Sequence, residues 1–408
     1  MSKDTAASPM SLWRSGRFLW FAAGNFSNNL GDSIYVVALP LFIYHLTRQL
    51  TAMSIMATIS LSPLILGPVV GVFVDRWSPG RLVVPSLLIQ LAASGLIPIL
   101  NASHALSMDA LYVLGGLIEF SGSAYRRSWM AALPWLFPQR SPEARVSLHQ
   151  LYVATTLLGP LAAGLLIGRL GYMGLIWLNV ATFLIPIIVA VVGVPFPRVA
   201  SAPSKSQFWS DLRDGWKALR TAPLLLNAMI VRALQNLVTS TGLTTLLMYY
   251  LRATFGLSPA RVSVMVVAGG AGGFIGSLLA PMWGRRSLRM VLPVGSLLAA
   301  GTVYMLLWPV WGAVPVVLFL VALATMGIFT AIEQATFYEV GSDQLGRVSG
   351  LFGLVAGVPA VLSPLVLAVL SHMVSPHGTF LVIAGFMTVI AGIAGVVTAP
   401  MRTSRSRS

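Results

Sequence analysis

The sequence predicts an all-α membrane protein of twelve transmembrane helices in two pseudo-symmetric six-helix halves. Three observations carry that prediction. Hydrophobic residues make up 56% of the 408 positions and charged residues only 9%, with a mean hydropathy of +0.83, whereas a soluble domain carries about 25% charge. The apolar segments are long enough to cross a bilayer at about 20 residues each, leaving room for about twelve, and they are too long for barrel strands. The second half also repeats the first, with matching positions roughly 205 residues apart and in the same order.

In chain order, a polar start with Arg14 and Arg17 leads into span one, about 18–46. It is followed by polar helix rather than a cleavage site, so it reads as a retained span and not a signal peptide. Spans two and three, about 52–74 and 82–101, bracket Gly71-Val72-Phe73-Val74-Asp75-Arg76-Trp77-Ser78-Pro79-Gly80-Arg81. There a small residue permits close helix packing, an acid and two arginines sit at the membrane edge, and Pro-Gly makes the turn. Span four covers about 111–133, and spans five and six about 148–168 and 172–194. The polar stretch 195–221 reads as a cytoplasmic linker, and its segment 208–219 as a short surface helix with Arg213, Lys217 and Arg220 at helical spacing. Spans seven to twelve follow at about 224–251, 260–283, 288–308, 314–340, 348–372 and 378–399. The domain reading is therefore 1–194, linker 195–221, second half 222–400, and a basic tail 401–408.

Charge sets the orientation. Nineteen Lys and Arg fall in the loops and ends of one side, against four (Arg48, Arg169, Arg252 and Arg261) on the other. The positive-inside rule makes the first side cytoplasmic, with both termini, in a cell membrane. The same bias accounts for the net charge of +15 without nucleic acid, because these basic faces lie against anionic lipid headgroups. The chain has no cysteine, which excludes disulfides, thiolate metal sites and cysteine nucleophiles. The five histidines are scattered and form no metal-spaced pair. No P-loop is present, which argues against direct use of ATP.

The repeat is visible in particular residues. Asn25, Asn28, Asn29, Asp32 and Ser33 of span one match Arg232, Gln235, Asn236, Thr239 and Ser240 of span seven. Gly71 matches Gly276, Arg145-Val146-Ser147 matches Arg347-Val348-Ser349, and Gly159-Pro160 matches Ser363-Pro364. The second copy of the charged loop has lost its acid, with Ala280 where Asp75 would stand. The loop pattern Gly71, Asp75, Arg76, Arg81 resembles the loop between helices two and three of the major facilitator superfamily. The chain resembles that superfamily over its whole length, and most of all its exporters of the macrolide-efflux and enterobactin-export type. The stretches that carry this are Leu30-Gly31-Asp32 with Ala38-Leu39-Pro40-Leu41, the Gly71–Arg81 loop, and Arg126-Arg127 before Ala132-Leu133-Pro134. Gly159-Pro160 with Ala163-Gly164 partly matches the superfamily's antiporter motif. The resemblance implies a cytoplasmic gate built on the loop motif, and a central cavity lined by spans one, four, seven and ten.

The charges inside spans are Asp32, Glu119, Arg126, Arg127, Arg232 and Glu333. Each costs about 2.5–3.5 kcal/mol at a helix centre, so they must face one another or water. They fall only on spans one, four, seven and ten. Asn25, Asn28, Asn29 and Asp32 share one helix face, as do Arg232, Gln235, Asn236 and Thr239. These two stripes, with Arg126, Arg127 and Glu333, are the candidate substrate-cavity residues. The alternative is a structural polar seam held by hydrogen bonds.

Counted from the span ends, Asp32 and Glu119 lie deepest, about 21 Å from the cytoplasmic edge, and Arg126, Arg232 and Glu333 about 11 Å. Two neighbouring carboxylates in low dielectric do not both ionise cheaply, so Glu119 and Asp32 are the candidates for proton coupling. In the alternative reading Glu119 pairs with Arg126 on its own helix and only stabilises the fold. Tyr125, Trp129, Trp135, Phe329, Phe337 and Tyr338 are weaker candidates for a drug-sized apolar pocket.

The function read from these residues is proton-coupled export of small amphipathic compounds by a monomer with no cofactor, whose partners are substrate, protons and lipid. Two rivals stay open: export of a defined metabolite such as a siderophore, with three arginines for anionic groups, and a non-transporting sensor. An enzyme would need a clustered acid–base, nucleophile or metal set, and the sequence offers none.

Overall fold

In the computed structural model of the protein, residues 12–65, 78–194, 196, 208–282, 287–340 and 344–398 are described. Among them eight helices are long and apolar enough to cross a membrane on their own. Four more spans follow from how this chain breaks the simple pattern. The helical run Ser141–Gly193 has 53 residues, about 80 Å at 1.5 Å per residue, or twice what one crossing needs. It reverses at Gly171, whose φ of 67° and ψ of −176° suit glycine and little else, so it forms spans five and six. Span four, Met108–Ala131, carries Asp109, Glu119, Arg126 and Arg127 among several serines and glycines and is less apolar than the other spans. Span two begins at Leu50 and continues as helix to Ile65, where the described residues stop. Span seven is broken into Pro223–Thr239 and Thr241–Ala253 at Ser240. The result is the all-helical, twelve-span architecture the sequence predicts.

The remaining spans are Gly16–Thr47 (one), Pro79–Ala102 (three), Pro259–Leu279 (eight), Ser287–Val303 with a 3-10 turn to Leu307 (nine), Ala313–Glu339 (ten), Leu345–Met373 (eleven) and Pro376–Thr398 (twelve). The helices gather into two compact units, Met1–Ser206 with Leu251–Val267, and Gln207–Tyr250 with Ala268–Ser408.

In the first unit, span one packs along spans five and six, span three along span four, and span two against spans one and four. The aromatic core lies toward one end of spans one, four and six. Phe18, Phe21, Tyr125, Trp129 and Phe183 are fully buried there, with Phe21 stacked on Trp129 at 4.6 Å. Tyr125 and Trp129 therefore fill the core and do not line a pocket. Trp135, Phe337 and Tyr338 are exposed, as rings at span ends usually are.

In the second unit, span seven packs on spans ten, eleven and twelve, and span nine on ten and twelve. The surface helix Phe208–Arg220 is present and packs on span eleven.

The two units solve one packing problem with their small residues exchanged. Span five comes so close to span one at Gly159 that a Cβ there would overlap Ser33. In the second unit the glycine is on span seven instead: a Cβ on Gly242 would overlap Ser363 and Pro364 of span eleven.

Candidate functional site

The polar face of span one is built as its spacing predicts. Asn29 donates from Nδ2 to Asn25 Oδ1 at 3.0 Å, and Asn28 donates from Nδ2 to Asp32 Oδ2 at 3.0 Å. All three asparagines are buried, so this stripe faces protein.

Asp32 is joined across the unit to span four. Arg126 Nη1 lies 3.3 Å from Asp32 Oδ2, and Arg126 Nη2 lies 3.9 Å from Glu119 Oε2. One guanidinium thus serves both carboxylates. The acid side chains are 23% and 15% exposed and the arginine 41%. The depth count separates Arg126 from the acids, but the structure brings them together. Long helical side chains lean toward their own N-terminus, which carries the Arg126 guanidinium back two turns to Glu119.

Three further residues complete the surroundings, and none stood out in the sequence. Ser60 of span two lies beside the Glu119 carboxylate. Gln90 of span three is fully buried and donates to Ser86 O, while its Oε1 has no partner. Tyr35, one turn beyond Asp32, is within electrostatic reach of both acids, and its buried hydroxyl has no partner. Gln90 was legible only as the single amide inside Leu87-Leu88-Ile89-Gln90-Leu91.

With both acids ionised the cluster carries one net negative charge. A single proton, or one monovalent cation, brings it to neutrality, and Arg126 can exchange one carboxylate for the other with a small side-chain movement. The described residues hold no group of three or more metal-ligating side chains.

The matching stripe of span seven lies in the second unit. Gln235 donates to Ser296 Oγ of span nine at 2.8 Å. Asn236 donates to Ala356 O of span eleven at 2.9 Å, and Ser240 to Ala360 O at 3.3 Å. Arg232 is buried, 7% exposed, while Glu333 and Arg127 are exposed in their own units. Of the loop motif, Gly71, Asp75 and Arg76 lie outside the described residues, and Arg81 stands in the first turn of span three.

At the other end of the first unit, Tyr44 lies beneath two guanidiniums, Arg48 at 5.1 Å and Arg252 at 5.4 Å from its ring centre. In the second unit, Asp214 on the surface helix pairs with Lys217 at 3.1 Å and with Arg347 of span eleven at 3.8 Å.

The family model described as Major Facilitator Superfamily matches residues 21–342. The chain belongs to the major facilitator superfamily. It is 21% identical over 392 residues to macrolide efflux protein A of Streptococcus pyogenes, covering 93% of this chain and 96% of that one. It is 23% identical to an uncharacterized transporter of the same superfamily, YfiS of Bacillus subtilis, covering 93% and 92%. Among solved structures it is similar to the nucleoside transporter NupG (TM-score 0.70, 13% identity, 94% of this chain and 99% of that one). It is likewise similar to a bacterial homologue of the iron transporter ferroportin in an inward-facing state (TM-score 0.70, 16% identity, 94% and 97%). At these identities the solved structures speak for the fold. The superfamily makes the protein a membrane transporter, as the resemblance in its loop and span motifs implied.

Proposed function

We propose that this transporter exports small amphipathic, macrolide-like compounds in exchange for protons, by alternating access of a central cavity to the two sides of the cell membrane. Both termini are cytoplasmic, and the transporter works as a monomer with substrate, protons and lipid headgroups as its partners. The observation that carries the reading is the Asp32–Arg126–Glu119 cluster, two largely buried acids on one partly exposed guanidinium. Such a site changes its net charge by one when a proton binds. Arg126 then rests on the acid that remains ionised. Coupling requires only that substrate bind the two protonation states with different affinity. Glu119 is the proposed carrier and Asp32 the anchor that keeps Arg126 in place through Asn28.

The efflux relative supports the choice of substrate class and of direction. The Gly71, Asp75, Arg76 and Arg81 motif is proposed as the cytoplasmic gate, by the superfamily resemblance.

The test is accumulation of a radiolabelled macrolide in inside-out vesicles containing the purified protein. An acid interior should drive uptake, and a protonophore should abolish it. Uptake indifferent to the gradient would refute proton coupling, and absence of any macrolide movement would refute the substrate class.

A further inference from the structure

Among the described residues, the second unit holds a buried cation with no carboxylate beside it to neutralise it. Arg232 is 7% exposed, and two of its three guanidine nitrogens, Nε and Nη1, have no hydrogen-bond partner. Among the described residues no carboxylate lies within ion-pairing distance of it. The contrast with the first unit is direct, since Arg126 there is held by two acids.

Helix packing does not require this charge. The repeat-related position on span one is Asn25, a neutral amide satisfied by Asn29 at 3.0 Å. Nor do the amides beside it remove the problem. Gln235, one turn along, is fully buried and has already committed its Nε2 to Ser296. A rotated Gln235 Oε1 would accept a hydrogen bond but leave the positive charge in place. An ion taken from water without compensation costs several kcal/mol. A fold that keeps one gains from it only when an opposite charge arrives.

We propose that Arg232 is the seat of an anion site inside the second unit, taking a carboxylate or phosphate group. These are the planar and tetrahedral oxyanions that a guanidinium binds through paired N–H donors. The site rests on the transport reading for its purpose, which is to hold the anionic group of an acidic cargo distinct from the macrolide-like class, but not for its existence. A phosphate could also come from a lipid headgroup, and the test separates the two sources.

The experiment is thermal unfolding of the purified protein in detergent, followed by tryptophan fluorescence at constant ionic strength in chloride. Benzoate, citrate, inorganic phosphate and a short-chain phosphatidylglycerol are titrated in turn. At least one free oxyanion should raise the Tm of the wild type saturably by several degrees. A response to phosphatidylglycerol alone assigns the site to lipid and overturns its role in holding cargo. Arg232→Met should weaken the effective probe at least tenfold. Arg289→Gln, which removes an exposed arginine of the same unit, should leave the response intact. With no probe present Arg232→Met should melt at or above the wild type, because it deletes an uncompensated charge.

The inference is overturned if no probe stabilises the wild type, if Arg232→Met responds as the wild type does, or if Arg232→Met melts well below it without probe. Macrolide flux is read separately. Its failure alongside a retained anion response would remove the efflux reading and leave this site standing.

Discussion

Removing the guanidinium from the first unit is the sharpest perturbation the geometry offers. Arg126→Gln keeps a polar side chain of useful length but leaves Asp32 and Glu119 without the cation that sat 3.3 and 3.9 Å from them. At those distances and an effective dielectric of 20, each attraction is about 4–5 kcal/mol before desolvation is counted. Breaking one fully buried pair costs about 3–5 kcal/mol. Arg126 is 41% exposed, so water recovers part of this, and the expected loss is about 2–3 kcal/mol. For a half of this size that lowers Tm by about 5–10 °C.

The loss should grow from pH 5 to pH 8, because protons at low pH neutralise the carboxylates that have lost their partner. Adding Asp32→Asn to Arg126→Gln removes one of the two orphaned acids and should return about 1 kcal/mol or more. The assay is detergent-solubilised thermal unfolding of the wild type, both single variants and the double variant, at the two pH values. An Arg126→Gln protein as stable as the wild type at pH 8, or an Asp32→Asn loss that simply adds to it, would refute the cluster as an energetic unit.

Three other outcomes follow from local geometry and from the loop motif. Gly159→Val drives a side chain into Ser33 of span one and should destabilise the first unit by about 1–3 kcal/mol, read by unfolding; an unchanged Tm would contradict the close approach. Asp214→Asn loses exposed ion pairs to Lys217 and Arg347 and should cost no more than about 1 kcal/mol, measured the same way; a larger loss would mean the surface helix depends on that pair. Asp75→Asn should insert normally but slow transport, measured as membrane expression against vesicle flux; wild-type flux would remove the proposed gate role.

Much of this arrangement was legible because hydrocarbon is an unforgiving solvent. Span positions follow from apolar length, and the nineteen-to-four bias of Lys and Arg is the ground on which a cytoplasmic placement of both termini is proposed. The span one stripe follows from an i, i+3, i+4, i+7 spacing that holds in the structure at Asn25, Asn28, Asn29 and Asp32. What the chain order hides is reach and partnership. Counting Cα positions put Arg126 in a layer apart from Glu119, whereas its long side chain spans that separation and touches Asp32 as well. Ser60 and Gln90 join the site from spans two and three, where a lone hydroxyl or amide in an apolar run carries no periodic signal. The break at Ser240 was also hidden, since no proline marks it; the structure shows Ser240 Oγ donating to Ala360 O of the neighbouring span. Tyr125 and Trp129 were offered to a pocket by their chemistry but are claimed by the core.

The central claim is that a proton on the Asp32–Arg126–Glu119 cluster drives export, and Glu119→Gln tests it most directly. The variant keeps the side chain's shape and its hydrogen-bonding capacity but can no longer change charge. Wild-type and variant proteins are placed in inside-out vesicles, and macrolide accumulation is measured with and without an acid interior. Glu119→Gln should bind substrate and equilibrate it downhill at a near-normal rate, while losing all concentration driven by the pH gradient. If Glu119→Gln vesicles concentrate the macrolide as well as wild type does, Glu119 is not the coupling residue and its contact with Arg126 serves only the fold.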